Sequence, residues 1–483
     1  MNCIAKSGKI KLAASTLTGV TLLLAQGAVV HAQQVQPQDS FLRPSLDGAA
    51  DTTGTAQTTT NNSQTTSVRA PVQQTNAPLP IRLQSNQPQQ RPLPPPPPPR
   101  PGPEADPFQP LGLRIGSFRA FPILEITGDG SDNVRTDHTG KKKDIGLRLA
   151  PSIRVESDWV RHSLTFNANS EHIFYAKAHD MDTNTFTTGS TLRLDIRRDT
   201  NLTSTATYQL SQTSSASSEV PGTAIGSRSD HELSFTSALT HRFNRAIATL
   251  TAGVDWLLYD NLKLVGGGKE DNADREYVEP SGTFRLGYEV SPAIIPFAQI
   301  SYVPRIHKKT RDRNGIRRDS QGITGSTGIG FNLSPIWDGE VALVYEYRNF
   351  KDNSLDSINA VGLNATINWR PTQLTTVSFV SATNLDESST AGISGTRNYD
   401  LALNLSHRFR DNLTGTLSFG LNYDDFVGTS NDDLYYTVNT GFAYTIRREM
   451  QWIANYQFTH FKSGTPGDSY TENRISTGIR FRL

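Results

Sequence analysis

The sequence predicts an all-β fold: a transmembrane antiparallel β-barrel of about 18 strands over residues 113–483, preceded by a disordered segment rich in Pro, Gln and Thr. Three observations carry this expectation. From about Phe118 onward the chain repeats one unit: an amphipathic strand of roughly ten residues, a tight turn, a second strand and a looser loop. Apolar and polar residues alternate inside the strands. After the leading residues no uninterrupted apolar run is long enough to cross a bilayer as a helix. A closed barrel is then the spanning structure whose backbone satisfies its own hydrogen bonds.

Residues 1–32 read as a secretory signal peptide. Lys6, Lys9 and Lys11 form a positive region, Leu12 to Leu24 an apolar one, and Val30-His31-Ala32 a small-residue cleavage site. Ser, Thr, Gly and Gln interrupt the apolar run, which argues against a retained anchor helix. Cys3 is the only cysteine and falls in this leader. It lacks the preceding residues of a lipoprotein signal. The rest of the chain therefore has no disulfide, thiolate metal site or cysteine nucleophile.

Residues 33–112 are low in complexity, dominated by Gln, Thr, Asn, Ser and Pro, with a polyproline run from Arg91 to Pro103. Such a composition buries too little apolar surface to offset chain entropy. The proline run is expected to be a semi-rigid rod of roughly 3.1 Å per residue. The segment reads as a periplasmic linker, or as an arm toward peptidoglycan or a periplasmic export protein.

Eight tight turns follow in the barrel region. They lie at Ser157-Asp158-Trp159, Arg198 to Asn201, Phe243 to Ala246, Val290 to Ala293, Leu333 to Asp338, Trp369 to Gln373, Arg410-Asp411-Asn412 and Arg447-Arg448-Glu449, about 36 to 47 residues apart. Asp, Asn, Ser, Pro and Arg build them, supplying local hydrogen bonds or a preset φ. The turns separate sixteen strands, and one further strand at each end, near Arg119 to Gly128 and Ser469 to Leu483, brings the total to about eighteen. An even number puts both termini at one end, the periplasmic one. Longer loops near 129–144, 176–184, 212–229, 262–274, 307–318, 349–356, 385–396, 425–432 and 463–468 then face outside.

Alternation is clean from Leu147 to Glu156, from Asp400 to Ser406 and from Arg474 to Leu483. A soluble sandwich also alternates, but its strands are shorter, about five or six residues, and its apolar face needs a second sheet. A solenoid of this period would carry a consensus at fixed offsets, whereas here only the pattern repeats.

Trp159, Trp337, Trp369 and Trp452 lie in or beside the short turns, and Phe243 and Phe409 join them, the placement of an aromatic girdle at a membrane interface. Trp256 reads as mid-strand. With apolar positions outward, the lumen receives Arg148, Arg154, Arg193, Arg197, Arg242, Arg285, Arg348, Arg370, Arg408, Arg447, Arg474 and Arg480. Opposed to them are Glu156, Glu171, Asp195, Glu232, Asp255, Glu279, Glu340, Glu346 and Asp400. A modest excess of guanidinium would favour anions and carboxylated sugars; the competing account is paired ion ladders holding the strands in register. The basic loop Arg305 to Arg318 is either solvated or a grip for lipopolysaccharide.

No enzyme is expected and no cofactor or metal. His138, His162, His172, His179, His231, His241, His307, His407 and His460 scatter over both ends, and Gly266-Gly267-Gly268-Lys269 lacks the frame of a phosphate loop. A net charge of +1, with charges of both signs spread along the chain, argues against a nucleic-acid partner.

Gly478-Ile479-Arg480-Phe481-Arg482-Leu483 resembles the C-terminal signal, carried by Gly478, Phe481 and Leu483, by which outer-membrane barrels are recognised by their assembly machinery. Leu483 departs from the commoner terminal Phe. Phe118 to Pro122 followed by Gly128 to Val134 resembles the opening of a β-barrel porin family of Gram-negative bacteria, barrel porin 2-like, over about residues 113–483. The resemblance implies an outer-membrane channel in contact with outer-membrane lipid and lipopolysaccharide. Some members are associated with exopolysaccharide export, so an export conduit is the alternative to a diffusion pore for small hydrophilic solutes. An adhesin or structural scaffold is the third reading. The sequence leaves the oligomeric state open.

Overall fold

The structure, a computed structural model, describes residues 108–213, 224–225, 227–387, 394–429, 432–464 and 467–483. The leader 1–32 and nearly all of the segment 33–112 lie outside the described residues. In chain order the strands are β1 (Leu113–Ile115), β2 (Phe118–Ser131), β3 (Asp144–Ser157), β4 (Ser163–Tyr175), β5 (Thr183–Arg197), β6 (Thr200–Thr213), β7 (Ala224–Ile225), β8 (Arg228–Phe243), β9 (Ala246–Tyr259), β10 (Leu262–Leu264) and β11 (Lys269–Glu270). There follow β12 (Tyr277–Tyr288), β13 (Ile294–His307), β14 (Ser320–Ser334), β15 (Trp337–Phe350), β16 (Ile358–Thr372), β17 (Thr375–Glu387), β18 (Gly395–Arg410), β19 (Leu413–Val427), β20 (Asp432–Arg447), β21 (Met450–Ser463) and β22 (Tyr470–Arg482).

Leaving aside the short β1, β7, β10 and β11, eighteen strands pair antiparallel with their neighbours in chain order, and β22 returns to β2 through Ile123↔Arg482 to Ser131↔Arg474. The ring is closed. The expected eighteen-stranded antiparallel barrel is therefore the fold observed. Thr-rich segments such as β5 and β6 suit it because β-branched side chains pack well on a pleated surface. At normal strand spacing and tilt, eighteen strands give a backbone diameter of about 35 Å.

All eight short turns fall where the sequence places them. Between β8 and β9 the reversal takes only Asn244 and Arg245, and Asn244 carries the positive φ, 56°, that such a turn needs. One-residue register shifts recur just before the short turns, at Asp195/Arg197, Asn332/Ser334, Trp369/Thr372, Arg408/Arg410 and Thr445/Arg447, and sharpen the local twist there.

Strand length differs from the expectation. The barrel strands run 12 to 16 residues instead of about ten, and the added length is mostly at the long-loop end. Thus Asp129, Ser131 and Asp144, placed by sequence in a loop, lie in β2 and β3, and Leu385, Asp386 and Glu387, also placed in a loop, lie in β17. The register alternates faces without interruption over most of each strand. Leu124, Ile126, Leu147, Leu250, Phe284, Ile300, Leu343 and Ile475 are exposed on the outward surface, while Thr127, Thr249 and Thr437 are buried on the inward one. Buried apolar residues form small clusters inside the long-loop end. Val134 of the first loop packs on Ile173, Tyr175 and Ala178; Leu355 and Leu385 pack on Phe350, Ile358 and Ala360. β7, β10 and β11 make a small sheet among the long loops.

Candidate functional site

The inward wall is the candidate site, and the register decides which side chains reach it. Direct cross-strand partners share a face, so Glu125, opposite Arg480, and Gln451, opposite the same Arg480, all point inward. Arg480 donates to Glu125 at 2.6 Å and to Gln451 at 3.3 Å. Nearby, Arg154 lies 3.3 Å from Glu156 and over the ring of Phe121, and Arg193 bonds Asp195 at 2.9 Å. Arg285 reaches from β12 to Glu340 on β15 through two hydrogen bonds, at 2.9 and 2.5 Å, with its guanidinium 3.5 Å over the ring of Phe297. Gly328 and Gly330, on the inward face of β14, leave the space this crossing needs.

Higher in the lumen, Arg148 pairs with Glu171, and Arg474 with Glu472 at 3.0 Å; Ser131 donates to the same Glu472 at 2.6 Å. Near the short turns Arg242 pairs with Glu289 and Arg370 with Asp338. Of the sequence-predicted lumen cations, Arg148, Arg154, Arg193, Arg242, Arg285, Arg348, Arg370 and Arg480 thus each meet a carboxylate. This is the ladder arrangement. Arg197, Arg408 and Arg447 stay near the short turns with no carboxylate in ion-pair reach among the described residues, and one buried Arg408 nitrogen has no hydrogen-bond partner.

Of the carboxylates named from sequence, Glu156, Glu171, Asp195, Glu279 and Glu340 meet these arginines, and the other four behave differently. Glu232 accepts from Ser234 at 3.4 Å; Asp400 accepts from Asn422 at 2.9 Å; Glu346 accepts the backbone N–H of Leu385 at 3.1 Å. Asp255 stands opposite Ser234 and Glu279. None of Glu232, Asp255, Glu346 and Asp400 has a cation in ion-pair reach among the described residues. Glu125, Asp129, Asp338, Asp386, Glu387 and Glu472 add to the inward acids. Strands longer than ten residues thus bring Asp129, Asp386 and Glu387, assigned by sequence to loops, into the wall against the expected guanidinium excess.

The aromatic residues singled out from sequence all point outward at the short-turn end. Trp337 and Trp369 are direct cross-strand partners with stacked rings, centroids 5.4 Å apart. Trp159 meets Phe118 edge-on at 5.6 Å, and Trp452 donates to Thr477 at 3.1 Å. Phe243 and Phe409 pack on the outward His241 and His407. Trp256, read as mid-strand, is also outward but near the long-loop end of β9. Of the C-terminal signal residues, Phe481 and Leu483 face outward and exposed, whereas Gly478 faces inward against β2.

The sequence model of the family described as Putative beta-barrel porin 2 matches residues 106–483. The chain belongs to that porin family. Solved structures similar to the chain include OccAB4 from Acinetobacter baumannii (11% identity, 78% of this chain and 100% of that one, TM-score 0.39). The siderophore receptor PiuA from Acinetobacter baumannii shows 10% identity over 77% and 82%, with a TM-score of 0.40. The siderophore receptor PirA from Pseudomonas aeruginosa shows 7% identity over 76% and 80%, with a TM-score of 0.36. Nothing below rests on these likenesses. No curated protein matches the chain.

Two features of the porin escaped sequence reasoning. First, the basic segment 305–318 is neither free nor merely solvated. Arg305 lies inside the lumen, 2.6 Å from Glu279 and 4.1 Å from the ring centroid of Tyr277. Lys308 bonds Glu276 and Lys309 bonds Asp271, each at 2.5 Å. Arg313 clasps Asp274 with two bonds of 2.9 Å and pairs with Glu270. Burial opposes the charge on Asp274, but the Arg313 guanidinium and backbone N–H outweigh it and hold the carboxyl at about 2. Charge complementarity between 260–276 and 305–318 was the available signal.

Second, β17 leaves the wall. Its pairing with β16 ends at Ala365↔Ser381, although both strands continue toward the long-loop end. A glycine in mid-strand, Gly362, was the signal for a close backbone approach.

Proposed function

We propose that this porin is an outer-membrane pore through which small hydrophilic solutes diffuse, cations more readily than anions. The observation that carries the reading is the closed ring with opposite faces: apolar side chains outward, charged and hydroxyl side chains inward around a backbone cylinder of about 35 Å. Lipid outside and water inside is the pairing of solvents that this division fits. The cation preference follows from the wall charges. Most lumen arginines spend their charge on carboxylates, while Glu232, Asp255 and Asp400 stand on the inward wall with no cation in ion-pair reach among the described residues.

In this reading the short turns and both ends of the barrel chain face the periplasm, and the outward Trp337, Trp369, Trp452, Trp159, Phe243 and Phe409 sit at that interface. Gly478, Phe481 and Leu483 serve assembly. A role for the basic loop as a lipopolysaccharide grip is not part of the proposal, because Lys308, Lys309, Arg313 and Arg318 already have acidic partners. Purified protein in planar bilayers tests the reading. Discrete conductance steps with a reversal potential favouring potassium over chloride are expected. Absence of steps would leave the scaffold reading, and chloride preference would overturn the selectivity.

A further inference from the structure

Beyond Ser381, β17 crosses the inner face of the barrel instead of continuing in it. Thr383 sits over Gly362 of β16, on the space a side chain there would occupy, and its N–H donates to Asn364 at 2.9 Å. Two residues on, the N–H of Leu385 reaches Glu346 on β15 at 3.1 Å. At the end of the strand Glu387 meets Arg348 of β15 at 2.9 Å, Ser320 of β14, and Arg305 of β13 at 3.6 Å. Within five residues, Thr383 to Glu387, side chains and N–H groups of β17 thus reach four consecutive wall strands. β18 follows, still paired with β17 up to Glu387↔Gly395, and Arg397 bridges back to the Asn359 carbonyl at 2.6 Å.

The wall beneath is made to be covered. Phe350, Ile358 and Ala360 occupy inward positions where a water-filled lumen disfavours them, and Leu385 closes over them; Ile358 is 0% exposed. The Glu387 side chain is 3% exposed, and Arg305 and Arg348 also share Glu279, at 2.6 and 3.5 Å. A buried carboxylate held by two guanidiniums and a hydroxyl is a strong tether, and removing its charge leaves both guanidiniums under-compensated.

We propose that the long-loop half of β17 is the constriction of the pore and that Glu387 is the positioning residue that latches it to the wall. The inference rests on the pore reading above. A strand layered on a sheet stands about 10 Å in front of it, so this hairpin end takes roughly that much from one side of the lumen.

The test uses the full chain with Cys3→Ser and one new thiol, Ala360→Cys, beneath the hairpin end, with Thr205→Cys on the open wall as reference. A charged, membrane-impermeant maleimide reads the cover, and planar-bilayer conductance of the same proteins reads the passage. Labelling at residue 360 is expected to be about tenfold or more slower than at 205, and Glu387→Gln to remove most of that difference. Glu387→Gln should also raise single-channel conductance, and Glu387→Asp should restore both readouts toward the parent. Gly362→Val, which pushes Thr383 off the wall without touching the charges, should act like Glu387→Gln and serves if that variant fails to fold. Fast labelling in the parent overturns the cover. Slow labelling that survives Glu387→Gln overturns the latch, and released labelling with unchanged conductance overturns the constriction. No conductance in any variant overturns the pore reading itself, on which the labelling result does not depend.

Discussion

Gly478 sits on the inward face of the closing strand with Thr127 on one side and Ile453 on the other. A Cβ there would run into the Ile126 carbonyl and stand 2.6 Å from the Thr127 Cα, backbone atoms that cannot swing away. Gly478→Ala is therefore expected to weaken closure by about 1–3 kcal/mol in urea unfolding from lipid vesicles. An unchanged midpoint would show that the glycine serves recognition by the assembly machinery alone. Arg285 makes a second residue-scale prediction. With its guanidinium 8% exposed and bidentate on Glu340, Arg285→Ala should cost about 3–5 kcal/mol, while adding Glu340→Ala should return a large part of it. Equal losses in the single and double variants would mean that stacking on Phe297, not the ion pair, is what matters. The inward side of both residues was legible from period-two alternation. Their partners were not, because Glu340 lies three strands away, and local sequence spacing carries no information about reach across a curved wall.

Strands and short turns were readable because each depends on neighbours within a few residues: Asp, Asn, Ser and Pro at the reversals, alternating apolar residues between them. Strand ends at the long-loop side were not. There Asp129, Asp144, Asp386 and Glu387 look like loop residues by composition, yet the ladder continues through them because the lumen, unlike lipid, accepts charge. The clasp between 260–276 and 308–319 gives the element-scale prediction. Asp274 has its carboxyl lowered from an ordinary 3.8 to about 2, so its contribution is complete above the unfolded-chain value and disappears as pH falls through the folded one. A spin label at Asn314→Cys should keep constant, restricted mobility from pH 8 to about 4 and gain mobility as pH falls toward 2. Asp274→Asn should be mobile at every pH. Loss of restriction near pH 6 would point to a histidine instead.

For the whole molecule, eighteen strands followed from counting turns, and closure followed from the absence of any tolerable free edge in lipid. The net sign of the lumen did not follow, since it depends on which acids the longer strands bring in. In a tenfold potassium chloride gradient we expect a potassium preference of roughly threefold. Replacing Glu232, Asp255 and Asp400 by their amides should bring it near unity, with conductance still present. The seam between β16 and β17 has another consequence. Every other joint in the ring is zipped along most of its length, but this one is zipped only from the short turn to Ala365, with side chains of Asn364, Ser381 and Arg397 standing in beyond. In deuterated buffer the amides on that free margin of β16, between Ile358 and Asn364, should exchange before those of any other wall strand, marking the line along which the cylinder would first tear.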